Sequence, residues 1–155
     1  MKRFNCKIFI VAALFFSACN TIDVYEKTQP LPKHEWNSNS RLNFNFKVTD
    51  SLSYYNIYLV VRHSESYHFN NIWLDFTSSM PAKKPQTQRL NVQLANANGW
   101  LGSPMDDIIE QRVLLFSHPT RLIAGNYTFS IRQVMREDPL QNVLNAGIRV
   151  EKVVQ

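Results

Sequence analysis

From residue 41 onward the chain is patterned in twos. In Arg41-Leu42-Asn43-Phe44-Asn45-Phe46-Lys47-Val48-Thr49, the residues Leu42, Phe44, Phe46 and Val48 alternate with polar neighbours. That spacing puts one face of a β-strand in a core and the other in water. Tyr54 to Arg62 is apolar on both faces, with Tyr55, Ile57, Leu59 and Val61 on one and Tyr58 and Val60 on the other, as a central strand covered on both sides requires. Ile72, Leu74 and Phe76 alternate within Asn71 to Thr77, and the same period predicts strands at Gln88 to Leu94, Arg112 to Phe116, Tyr127 to Met135 and Ala146 to Val153. Turn formers separate them: Pro81 and Pro85, Asn98-Gly99, Gly102-Ser103-Pro104, Ala124-Gly125-Asn126 and Asp138-Pro139. Met105 to Ile109 is the one stretch that reads as a short helix. The expectation is an all-β, antiparallel β-sandwich, jelly-roll-like, of about seven to eight strands with at most one short helix. A partly closed barrel is the alternative. Residues 41–155 have the length of one ordinary domain.

Ahead of this domain the pattern changes twice. Residues 19–40 are polar and carry Pro30 and Pro32 around a few apolar residues. This segment reads either as a tether or, through Val24-Tyr25 and Trp36, as a docked edge segment. Before it, Lys2 and Arg3 precede the apolar run Ile8 to Phe16, which is shorter than the roughly 20 residues a membrane span needs. The run ends in Phe16-Ser17-Ala18-Cys19, two small residues before a cysteine, with Phe16 where leucine is more usual. Residues 1–18 therefore read as a lipoprotein signal peptide, and Cys19 as the lipidation site and first residue of the mature chain; cleavage of an ordinary signal after Ala18 is the alternative. Two or three acyl chains would anchor the protein stably where one is marginal. Asn20 stands where an aspartate is associated in some bacteria with inner-membrane retention, which favours the outer membrane, facing the periplasm.

This reading alters the charge argument. The 17 Lys and Arg against 12 Asp and Glu suggest a basic protein, but Lys2, Arg3 and Lys7 leave with the signal, and 14 remain. A nearly neutral domain gives no ground for nucleic acid as a partner. Loss of Cys6 and alkylation of Cys19 leave no thiol for a disulfide, a metal or a nucleophile.

The side chains that bear chemistry are few. His63 and His68 flank Ser64-Glu65-Ser66-Tyr67, which reads as a hairpin loop, and four scattered histidines give no zinc ligand set. Asp106, Asp107 and Glu110 form an acidic cluster that reads as the first turn of the short helix, complementing its dipole; an acid/base pair or a calcium site is the functional alternative. Met135-Arg136-Glu137-Asp138-Pro139-Leu140 reads as a surface loop, either an ion-paired turn or a contact site. No Gly-x-Ser-x-Gly elbow is present, and Ser117-His118-Pro119 has no placed acidic partner. The expectation is therefore a protein that is not an enzyme, without catalytic residue, metal or cofactor beyond the covalent lipid. Its candidate partner-contact residues are His63, Tyr67, His68, Trp100, Arg136, Glu137 and Asp138. A sugar-stacking platform built from Tyr54, Tyr58, Tyr67, Trp73 and Trp100 would make a glycan or peptidoglycan the partner instead.

The lipobox, Tyr54 to His63, Asn71-Ile72-Trp73-Leu74, Gly99-Trp100-Leu101-Gly102 and above all Gln133 to Leu140, in this order and spacing, resemble the GldH family of gliding-motility lipoproteins. The resemblance covers nearly the whole chain. The chain departs from the family pattern after Gly102, where Ser103-Pro104-Met105 replaces a more glycine-rich turn. The resemblance implies an envelope lipoprotein needed for surface gliding, an interaction or assembly component connected with the motility and secretion machinery. It implies no catalytic residue.

Overall fold

The structure is a computed structural model and describes residues 24–153; residues 1–18, expected to be a signal peptide, and Cys19 lie outside the described residues. Alternation is converted into strands throughout. They are β1 (Val24–Pro30), β2 (Glu35–Trp36), β3 (Leu42–Val48), β4 (Tyr54–Ser64), β5 (Asn71–Ser79), β6 (Gln86–Gln93), β7 (Ala95–Asn96), β8 (Gly99–Trp100), β9 (Ser103–Met105), β10 (Ile108–Leu114), β11 (Thr120–Arg121), β12 (Gly125–Gln133), β13 (Leu140–Gln141) and β14 (Val143–Lys152). The count exceeds seven to eight because six of the fourteen are two- or three-residue pieces.

The first sheet runs β1-β14-β4-β10-β9, with β11 beside β4, and the second runs β3-β12-β5-β6; all pairings are antiparallel. Numbering only the eight long strands in chain order, the sheets read 1-8-3-6 and 2-7-4-5, the jelly-roll order. The sheets close face to face on a shared core. Tyr55, Ile57, Leu59 and Val61 of β4 meet Leu42 and Phe44 of β3, Ile72, Leu74 and Phe76 of β5, and Phe129 and Ile131 of β12. β4 is the central strand its two apolar faces predict: Val60, on the face turned away from the core, is fully buried, opposite Arg112 and Gly147.

One open expectation is resolved and one changes. From Val24 onward the polar N-terminal segment is an edge segment. β1 pairs with β14 over seven residues, from Val24 opposite Glu151 to Pro30 opposite Asn145, so the described part of this segment takes the docked-edge alternative and is continuous with the first sheet. Trp36 is fully buried in the core cluster, and its indole N–H donates to the Ser40 carbonyl at 2.9 Å. The short helix at Met105 to Ile109 is absent. Those residues form the β9–β10 hairpin, in which Asp106 takes φ +56 in the turn and Gly102 takes φ +110 at the approach. Asp tolerates the left-handed region better than most residues. Ile109 then points inward, and Ile108 outward, in register with β4. The helical turn among the described residues is instead a 3-10 turn at Pro32–His34.

β1 depends on one small residue. Gly147 of β14 packs so closely beneath it that a Cβ would collide with the Lys27 carbonyl oxygen and the Thr28 backbone. Gly147→Val is expected to lift β1 from the sheet, read as new proteolytic cleavage between Tyr25 and Pro30; a cleavage pattern like the parent's would refute the dependence. Trp36→Ala is expected to lower stability by about 3–5 kcal/mol, the usual cost of removing a fully buried aromatic side chain, measured by urea unfolding.

Candidate contact site

Strand pairing assigns the loops to two ends. Val24 lies opposite Glu151, and Glu151 opposite Asn56, so the chain enters the domain at the end where β4 begins. β4 finishes at Ser64, and the loops after it, between β9 and β10, and between β12 and β14 gather at the other, distal end.

There the structure brings together the two loops that the sequence singled out separately. Nδ1 of His68 lies 2.8 Å from Oε2 of Glu137. Asn142, held at φ +67, donates its amide to the Ser66 carbonyl at 3.0 Å, and its own carbonyl accepts the Ser64 N–H. Glu137 also accepts the Gln141 N–H through Oε1 at 2.9 Å. One carboxylate thus fastens its own loop and the neighbouring one. The His68 hydrogen bond holds the Glu137 carboxyl below its ordinary pKa against the upward push of burial, and the Gln141 N–H assists.

Asp138 is engaged on its other side. It accepts the backbone N–H of Ser38 at 2.8 Å and the Ser38 hydroxyl, and these two bonds lower its pKa. Gln133, fully buried, donates to the Trp36 carbonyl at 3.1 Å and accepts the Met135 N–H at 2.7 Å. Glu137 and Asp138 are therefore internal fasteners of the loop. Arg136, immediately before them, is exposed and has no hydrogen bond or ion pair among the described residues.

Three of the candidate residues lie beneath this surface. His63 and Tyr67 are buried and Trp100 is half-buried; the His63 ring sits edge-on to Trp100 at 4.6 Å and 5.3 Å from Tyr67. His63 and Tyr67 are thus not presented at the surface; they support the loops from below. The Tyr67 hydroxyl donates to the Asn71 carbonyl, and burial first, then the Glu137 charge, pushes its pKa up. His63 Nδ1 lies 2.9 Å from the Ser64 carbonyl oxygen, the geometry of a donated N–H. Nε2 is then the bare nitrogen, buried without a partner among the described residues.

Other candidates are dispersed. Asp106 and Asp107 are exposed in the hairpin turn, whereas Glu110 is on the outer face of the first sheet, paired with Arg62 and Arg112. The helix-dipole reading of that cluster lapses with the helix. The five aromatics of the sugar-stacking reading do not form one platform. Tyr54 lies at the entry end, Tyr58 on the outer face of β4 and Trp73 on the other sheet, while Tyr67 and Trp100 pack with His63. A cleft of about 140 Å³ lined in part by Tyr25, Phe46, Lys47 and Tyr55 is smaller than ordinary small-molecule sites, which begin near roughly 300 Å³. Ser38 and Asn142 are structural supports of these loops that sequence reading missed; their signal was the Asn/Ser-rich run 37–40 and an Asn immediately before a strand.

Burial lowers the His63 pKa from 6.5, outweighing the opposing hydrogen bond to Ser64. The unfolded chain then binds the proton more readily, so this stability is full above about pH 6.5 and declines as pH falls toward the depressed folded value. The urea midpoint is expected to fall between pH 7.5 and pH 5.5 and to fall less in His63→Phe; equal falls in both proteins would refute the assignment.

Residues 23–150 match the family model described as GldH lipoprotein. A protein of Christiangramia forsetii named "Gliding motility lipoprotein GldH homolog" is 28% identical over 159 residues, covering 97% of each chain. The Flavobacterium johnsoniae protein named "Gliding motility lipoprotein GldH" is 27% identical over 160 residues, covering 98% of this chain and 99% of that one. Among solved structures, the VP2 subviral particle of infectious bursal disease virus is similar at TM-score 0.36 and 15% identity, over 86% of this chain and 33% of the capsid chain; this chain spans a third of that protein, and nothing further is drawn from the likeness. With the family model matching all but the ends, this chain belongs to the GldH lipoprotein family.

Proposed function

We propose that this protein is a lipid-anchored component of the bacterial cell envelope that serves the gliding-motility machinery, and the secretion apparatus associated with it, by contact and assembly and not by catalysis. The relatives named as gliding-motility lipoproteins support the setting. The contact role rests on one observation: the loops around His68 and Glu137 are clamped to each other while Arg136, just ahead of two engaged acids, is left exposed and unpaired among the described residues. A surface held rigid in this way loses little conformational entropy when a partner binds. Arginine offers a planar fork of donors suited to a carboxylate on such a partner.

Many charges on the outer faces of the two sheets are already engaged. On the outer face of the first sheet Arg62, Glu110, Arg112, Glu26, Arg149 and Glu151 form a continuous cross-strand ladder. On the second sheet Arg89 and Arg132 share Asp75 at 2.9 and 2.6 Å. Lipid attachment at Cys19, the outer membrane and a periplasm-facing orientation belong to the same proposal, on the strength of the lipobox and the family's designation.

A photo-crosslinking amino acid replacing Arg136 is expected to capture a discrete envelope protein in living cells. The same group at Asn126, an exposed position at the other end of the second sheet, is expected to capture none. Equal background at both positions would remove the basis of the contact role.

A further inference from the structure

The end at which the chain enters the domain differs in character from the distal end. Leu52 is 78% exposed, Ile123 50% and Tyr54 43%, and topology brings all three to one place. Tyr54 pairs with Arg121, two residues before Ile123, and the Arg121 guanidinium donates to the Ser51 carbonyl at 3.0 Å beside Leu52. The other loop at this end carries Lys83 and Lys84, and Lys47 closes β3 nearby; all three are exposed. The acid of the adjoining loop, Asp50, is engaged by Lys152 and Ser53. At the distal end exposed acids, Glu65, Asp106, Asp107 and Asp138, stand alongside the basic Lys33, Arg41 and Arg136.

Chain length ties this end to a membrane. Four residues, and so five Cα-to-Cα steps, separate Cys19 from Val24, and five steps extend at most about 18 Å. If Cys19 bears lipid, the residues around Val24 cannot lie farther than that from the headgroups. Val24 is opposite Glu151, and the Val153 N–H bonds the Tyr54 carbonyl, so Tyr54 and its neighbours are at the same end. We propose that the face bearing Leu52, Tyr54 and Ile123 rests on an anionic phospholipid bilayer, its apolar side chains in the interface and Lys83, Lys84 and Arg121 over the headgroups. The inference rests on Cys19 as the lipid-bearing residue.

Aliphatic and tyrosyl side chains partition into the interfacial zone, and basic side chains add attraction to anionic lipid within a Debye length. Seating this end fixes the opposite one: β4, eleven residues long, carries the distal loops about 36 Å from the surface at ~3.3 Å per residue. A flexible anchor alone would leave the domain free to tumble and Arg136 free to face the lipid. Docking of this end presents it outward.

The test uses the full lipidated chain carrying Leu52→Cys, Ile123→Cys or, as the distal reference, Asp106→Cys, each labelled with an environment-sensitive fluorophore. Each protein is bound to phosphatidylglycerol/phosphatidylethanolamine vesicles with and without nitroxide-labelled lipid. Quenching at 52 and 123 is expected to exceed that at 106 at least threefold. Charge reversal by Lys83→Glu, Lys84→Glu and Arg121→Glu together is expected to lower it by half or more. Quenching at 52 and 123 no greater than at 106, in protein that floats with the vesicles, overturns the docking and leaves the anchor standing. Protein that fails to float with Cys19 intact overturns the anchor, and the docking with it. Probes that stay unquenched on vesicles but are shielded in cells identify a protein as the occupant and refute the lipid.

Discussion

Phe129 sits where the fold is decided. It is fully buried at the middle of β12, and its ring meets Phe46 at 4.9 Å, Phe76 at 5.1 Å and Tyr127 at 6.0 Å, each edge to face. Since β12 lies between β3 and β5, these contacts fix the register of the second sheet. A slip of one residue on either side would turn the rings to water and drive Asn45, Thr128 or Asp75 into the core. The same ring system reaches the other sheet, with Tyr25 of β1 at 5.0 Å from Phe46 and Phe116, beyond β10, at 5.8 Å from Phe76. Tyr25 explains why the N-terminal segment is part of the domain. Its burial raises the pKa of its hydroxyl, and its ring fills space that the edge of the sandwich would otherwise leave open.

With the core satisfied by aromatic and aliphatic rows, polar residues are confined to outer faces and ends, and the two behave differently. The outer faces pair their charges across strands. Burial pushes the Glu26 pKa upward, yet Arg149 and Arg112 together hold it below its ordinary value. Exposed pairs of this kind add little stability individually; their consequence is that few charges on the faces remain free for an outside partner. The ends, built of loops whose backbone must reach water or one another, keep exposed groups: Arg136 at one, Leu52 and Ile123 at the other. The sandwich is thus polarised along its strands, and its entry end and distal end suit different neighbours.

At the distal end the fasteners and the contact are different residues in one short sequence. Glu137 and Asp138 look from the sequence like the charges a partner would meet, but each is consumed by a loop from elsewhere in the chain, His68 in one case and Ser38 in the other. Below them His63 and Tyr67 provide a buried floor, so a protonation event at His63 would act on the loops through packing and not through direct contact.

Seven of the eight long strands were legible from the apolar pattern, because a half-buried strand must alternate residue by residue and a strand covered on both sides, β4, must be apolar on both. The sandwich class followed from the number and spacing of those strands, and the family resemblance from the order of short motifs around Tyr54, Trp100 and Arg136. β1 was not legible as an assigned strand: Val24 to Pro30 mixes Glu26, Lys27 and a terminal proline, a composition shared by linkers, and only its pairing with β14 over Gly147 makes it a strand. Within the hairpin at 103–114, Met105 to Ile109 was misread as a short helix because Met105, Ile108 and Ile109 fit a helical spacing as well as a strand, and pairing of Ile108 to Leu114 with β4 settled it. Which loops meet was equally beyond reach, since His68 and Glu137 are 69 residues apart and nothing local encodes their contact. The sequence by itself determined which residues alternate and which family they belong to, since both are local properties of the chain. Tertiary structure alone decided which charges are consumed, which aromatics are covered and which end meets which neighbour, because each depends on strands that pair across long stretches of sequence.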